Sequence, residues 1–60
     1  MGATGDLQGM IDELTNAMAD AEKHDRGNNA AGGRLRKALM NTKKACDTLR
    51  KSVQAERNSR

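Results

Sequence analysis

Phenylalanine, tyrosine and tryptophan are absent from this chain, and so is proline. Without aromatic rings there is no platform on which unpaired bases can stack. That removes the usual chemistry of single-stranded nucleic-acid binding. The apolar residues are alanine, leucine, methionine, isoleucine and valine, and with cysteine they make up 35% of the sequence. Such a set favours thin helical packing through small side chains over a thick globular core. The lack of proline leaves both halves free of helix breaks.

Cysteine and histidine occur once each, as Cys46 and His24. One thiol cannot form an internal disulfide. A structural zinc site needs about four ligands, so no metal is expected. No apolar run approaches the roughly 18 residues of a membrane span. The opening Met1-Gly2-Ala3-Thr4-Gly5-Asp6 has neither the basic nor the apolar segment of a signal peptide. A free thiol without an export signal fits the reducing cytoplasm. No catalytic constellation stands out. His24 and Cys46 fall on different elements, and the carboxylate pairs Asp12-Glu13 and Asp20/Glu22 have no concave apolar pocket to shift their pKa. The chain reads as no enzyme, with no cofactor and no small-molecule substrate.

What the chain does have is charge, and it is segregated. Up to Gly27, two cations stand against six carboxylates, a net of −4; from Asn28 onward, nine cations stand against two, a net of +7. The basic half is periodic. Arg36-Lys37, Lys43-Lys44 and Arg50-Lys51 recur seven residues apart, followed by Arg57. Seven residues are close to two helical turns, so the pairs stack along one side of a helix. With Leu35 as heptad position a, Arg36, Lys43, Arg50 and Arg57 occupy b, and Lys37, Lys44 and Lys51 occupy c. Both positions point away from the a/d seam. A straight positive row suits a linear polyanion such as duplex DNA, which carries about one charge per 1.7 Å of axis. The plainer reading is a solvated helix face. Asp6, Glu13 and Asp20 share the seven-residue spacing; they either steer helix pairing or serve solubility.

Two helices follow from the apolar spacing. Leu7, Met10, Ile11, Leu14, Ala17, Met18 and Ala21 keep the 3-and-4 pattern over about residues 6–25. Thr4 or Asp6 is placed to cap that start, and Gly27 to end the helix in the left-handed conformation. Asn28 or Asn29 caps a second helix over about 29–56. Its stripe includes Ala31, Leu35, Ala38, Leu39, Thr42, Ala45, Cys46, Leu49 and Val53. The fold class is all-α: an antiparallel two-helix hairpin forming a single domain over 1–60, with short flexible ends at 1–5 and 57–60. Gly32 and Gly33 each cost about 1 kcal/mol within a helix. They mark either a close backbone approach or a weak, tolerated start. A chain of this length buries only roughly 60% of its unfolded surface, which is marginal for a monomer. The seam residues Leu7, Met10, Ile11, Leu14, Met18, Leu35, Ala38, Leu39, Ala45, Leu49 and Val53 therefore call for a homodimer or higher oligomer, with a four-helix bundle as the simplest form.

The run Arg26-Gly27-Asn28-Asn29-Ala30-Ala31-Gly32-Gly33-Arg34-Leu35-Arg36-Lys37-Ala38, continued by Lys43-Lys44-Ala45 and Leu49-Arg50-Lys51-Ser52-Val53-Gln54, resembles the signature of the bacterial and phage linker-histone-like DNA-binding family. Its members include the chlamydial histone-like nucleoid protein. The resemblance spans residues 26–56, and Asn29 stands where members usually carry lysine. It implies binding of double-stranded DNA with little sequence preference, nucleoid organisation or compaction, and a nucleoid-associated place in the cytoplasm. The contact role falls to Arg34, Arg36, Lys37, Lys43, Lys44, Arg50 and Lys51; the periodicity adds Arg57. The rival reading is a cytoplasmic helical-hairpin module that binds an acidic protein. A membrane-surface helix is remote, because helix two lacks large apolar anchors and Asp47 interrupts its polar face.

Overall fold

The computed structural model describes residues 2–60. Two helices, α1 (Ala3–Asp25) and α2 (Asn29–Ser59), pack against each other as an antiparallel hairpin. The turn between them is set by two residues. Gly27 adopts φ +97°, a region that costs glycine nothing. Its N–H donates to the His24 carbonyl at 2.9 Å, and the Asn28 N–H donates to the Lys23 carbonyl at 3.0 Å. This pair of bonds is the Schellman ending, which satisfies carbonyls the helix leaves free. Asn28 then starts α2: its Oδ1 accepts from the Ala31 N–H at 3.0 Å.

The other helix start differs from expectation. Neither Thr4 nor Asp6 caps α1. The cap position is Gly2, in extended conformation and with no side-chain bond. The Asp6 N–H already donates to the Gly2 carbonyl, at 3.3 Å, so Thr4 and Asp6 lie inside the first turn. Asp6 still stabilises that turn by facing the positive end of the helix dipole. The helical segment of α2 runs on past residue 56 to Ser59. Local bonds support this last stretch, Gln54 to Asn58 at 3.3 Å and Ser59 Oγ to the Ala55 carbonyl at 3.1 Å.

The helices meet through small residues. The buried apolar positions are Met10, Ala17 and Ala31. Leu35, Ala38, Ala45, Leu49 and Val53 are half-buried along α2. Asp20 pairs with Arg34, Met10 lies against Cys46, and His24 lies over Gly32. In this register Ala3 lies near Ser52, and about the last two turns of α2 project past α1.

His24 explains one glycine of the pair and not the other. A methyl group on Gly32 would lie 2.5 Å from His24 Nδ1, whereas at Gly33 nothing lies within 4 Å. Gly33→Ala is therefore expected to stabilise the hairpin by about 0.5–1 kcal/mol, through helix propensity and a stiffer unfolded chain. Gly32→Ala should gain less, since the imidazole must swing away. Thermal melts followed by circular dichroism check this. A Gly32→Ala gain equal to that of Gly33→Ala would remove the close approach as the reason for Gly32.

The result is long and thin, measuring 49 × 15 × 13 Å with a radius of gyration of 14.5 Å. A compact domain of this length has a radius of about 10 Å. The accessible surface is 4898 Å², against about 3,800 Å² for a typical folded monomer of this mass. The excess is apolar in part. Leu7, Met18 and Leu39 are each more than half exposed, Ile11 is nearly so, and Leu14 is 39% exposed.

Candidate nucleic-acid interface

Helical geometry separates the hairpin into an outer ridge and two broad faces. At about 100° per residue, the b-row cations of α2 lie on one shoulder of its outer side and the c-row cations on the other. Arg36, Lys37, Lys43, Lys44, Arg50, Lys51 and Arg57 are all exposed. Arg57 Nη1 donates to Gln54 Oε1 at 3.5 Å. Among the described residues, none of these seven cations forms an ion pair. Asp47 lies on the ridge between the two rows and also lacks an ionic partner among those residues. The ridge runs from Arg36 to Arg57, roughly 32 Å at the helical rise of 1.5 Å per residue.

Arg34 stands apart from the row. Its Nη2 and Nε both donate to Asp20 Oδ1, each at 3.0 Å. These hydrogen bonds, followed by the charge of Arg34, hold the Asp20 carboxyl below its ordinary pKa, and Asp20 in turn raises Arg34. The guanidinium that the family resemblance assigns to DNA thus ties α2 to α1. The same pair gives Asp20 a specific partner, so that carboxylate has more than a solubility role. The start of α2 is likewise engaged: the Ala31 and Gly32 N–H groups donate to Asn28.

The two faces differ sharply. On one side of the seam, shallow grooves are lined by Asp6, Glu13 and Asp20 from α1 and by Asn41, Thr48 and Ser52 from α2. On the other side lie Leu7, Ile11, Leu14 and Met18 of α1 with Leu39 and Cys46 of α2, all exposed. The apolar stripe read from the sequence therefore divides. Met10, Leu35, Ala38, Ala45, Leu49 and Val53 close the hairpin, and Leu7, Ile11, Leu14, Met18 and Leu39 remain outside it. Cys46 is free, with its Sγ 3.7 Å from Met10 Sδ.

One ridge residue escaped the periodicity. Met40 is 53% exposed and sits between the Arg36-Lys37 and Lys43-Lys44 pairs. Its signal was an apolar side chain at an outward heptad position. Among the described residues, no group of three potential metal ligands comes together, and no helix is long and apolar enough to cross a membrane.

Comparison with known proteins gives one family. The family model described as histone H1-like protein Hc1 matches residues 5–59, which takes in nearly all of both helices. No curated protein and no solved structure matches the chain.

Proposed function

The chain belongs to the histone H1-like protein Hc1 family, and from that premise we propose that it binds double-stranded DNA without sequence preference and takes part in nucleoid organisation. The observation that carries this reading is the ridge of seven exposed cations on α2, none of them ion-paired among the described residues. Its chemistry is neutralisation of phosphates with release of counterions. Arg36, Lys37, Lys43, Lys44, Arg50, Lys51 and Arg57 make the contacts, and Arg34 acts mainly by holding the hairpin together. A straight row of cations matches a run of phosphates, so affinity comes from the DNA backbone and carries little sequence preference. The protein is structural, not an enzyme. It works at the nucleoid, as a homodimer or higher homo-oligomer that covers the exposed leucines.

The test is a mobility-shift titration with random duplexes across a salt series. A ridge that meets about six to eight phosphates gives a slope of log K against log salt of roughly −5 to −7. Affinity should barely change between unrelated duplexes. A slope near −1, or a hundredfold preference for one sequence, removes the non-specific reading. Saturable one-to-one binding to an acidic protein, with no such dependence on DNA, would favour the interaction-module alternative.

A further inference from the structure

The basic ridge has a crest without a cation. Between its two rows runs heptad position f, which holds Gly33, Met40, Asp47 and Gln54. At about 100° per residue this row falls between b and c, nearly opposite the a/d seam that packs on α1. All four residues are exposed. Gln54 is engaged along the helix: its Nε2 donates to Asn58 at 3.3 Å and its Oε1 accepts from Arg57 at 3.5 Å. Met40 and Asp47 are left facing outward. Lys43, Lys44, Arg50 and Lys51 all stand three or four residues from Asp47, the spacing of helix-surface ion pairs, yet none of them pairs with it.

A flat line of phosphates is met from the crest, the most forward line of the helix. There a carboxylate is repelled and a thioether has nothing to pack on. The cations of α2 leave that line free and take both shoulders. Two rows on opposite shoulders of a convex ridge are engaged together only by a surface that rises on both sides of it. A groove of duplex DNA is such a surface, with phosphates along both edges and base edges on its floor. An α-helix with its side chains is about 10–12 Å across. The major groove, about 12 Å wide, admits it, and the minor groove, about 6 Å wide, does not. The major-groove floor also suits the crest. It presents the amino groups of cytosine N4 and adenine N6, from which a carboxylate accepts, and the thymine methyl, on which an apolar side chain packs. Cation, carboxylate, cation across the ridge thus matches phosphate, amino group, phosphate across the groove. Met40 and Asp47 stand roughly 10.5 Å apart along the helix, about three base-pair steps, which a straight helix can follow in a curving groove.

We propose that α2 seats its crest in the major groove of B-form DNA, with Met40 and Asp47 facing the base edges and the b and c rows on the phosphates of opposite strands. This rests on the DNA-binding reading and adds the groove and the two residues that select it. The cations still supply the affinity. The crest decides which polyanion fits, because Asp47 weakens binding wherever it meets anions and not where it meets amino groups. Sequence preference stays small, since every base pair, A·T or G·C, presents one amino group in the major groove.

The groove and the crest are tested separately. Dimethyl sulfate methylates guanine at N7, in the major groove, and adenine at N3, in the minor groove. On a mixed-sequence duplex saturated with protein, guanine methylation should fall by about threefold or more, while adenine methylation stays within about 1.5-fold of the free duplex. Protection of adenine N3, or of neither atom, overturns the proposal and leaves the DNA reading untouched. A duplex that the protein does not shift at all overturns the DNA reading, and this proposal with it. For the crest, Asp47→Asn removes the carboxylate charge at an exposed position and keeps the side-chain shape. Heparin is the comparison, a linear polyanion with neither a groove nor base edges. At one salt concentration the variant should gain about threefold more affinity for heparin than for duplex DNA, because only on heparin does Asp47 face anions. Equal gains on the two would show that Asp47 faces phosphates on DNA as well, and would overturn its place in the groove.

Discussion

Replacing Arg36, Lys43, Lys44, Arg50 and Lys51 together by glutamine is expected to abolish useful DNA binding while leaving the helices in place. All five side chains are exposed, and none joins an ion pair among the described residues. Glutamine keeps the chain length of the side chain approximately and has nearly the same helix propensity as lysine or arginine. Net charge moves from +3 to −2 with five cations removed. Each phosphate contact contributes a slope of about −0.9, which at 0.1 M salt corresponds to a factor of roughly eight in affinity. Five lost contacts multiply to about 3 × 10⁴. The salt slope should shrink to that of the remaining Lys37 and Arg57, near −2.

Helical signal and oligomer size are the controls in that experiment. Exposed substitutions away from packing usually change stability by no more than about 0.5 kcal/mol. A variant that keeps its dichroism and binds duplex DNA as tightly as before shows that the ridge is not the site. A variant that unfolds shows that these positions pack, which contradicts their exposure in the hairpin. Arg34→Gln makes the complementary comparison. Its guanidinium is bound to Asp20, so its loss should loosen the hairpin more than it changes the salt slope.

The turn and the ridge were legible in the sequence because each depends on local rules. Gly27 and Asn28 carry the conformational and hydrogen-bonding signals that end one helix and start the next. The outward direction of the basic pairs follows from a seven-residue spacing on any straight helix. The start of α1 was less legible: Ala3 keeps the spacing of Leu7, Met10 and Ala17, but Thr4 and Gly5 interrupt the apolar signal, and Thr4 and Asp6 are residue types that cap a helix, so the sequence points to a start near residue 6. Register between the helices depends on contacts far apart in sequence. The Asp20–Arg34 pair could have been replaced by another pairing in a helix set slid by one heptad. The division of the apolar stripe was also hidden. Hydropathy ranks leucine above alanine, yet at the closest approach of two helices the small side chain is the one that fits. Ala17 and Ala31 are buried, and Leu7 and Leu39 are more than half exposed.

That inversion leads to the most damaging single substitution expected in this fold. Ala31 is 0% exposed, the most enclosed residue among the buried positions. It lies in the first turn of α2, where its N–H is held by Asn28 Oδ1 and the chain has just reversed at Gly27. Ala31→Leu adds three carbons at a point where neither helix can move without opening the turn. Overpacking of this kind costs about 1–3 kcal/mol. For a domain near this size each kcal/mol lowers the melting midpoint by about 4–8 °C, so a fall on the order of 10–20 °C is expected. Ala30→Leu supplies the control: Ala30 is exposed, and the change in composition is the same. Leucine and alanine have similar helix propensities, so Ala30→Leu should melt within a few degrees of the unsubstituted chain. DNA affinity measured well below the melting range should follow folding in both variants, since neither substitution touches the ridge. Equal melting of the two variants would mean that the helices do not close on Ala31. The hairpin register, and with it the division of the leucines between the inner seam and the outer face, would then have to be redrawn.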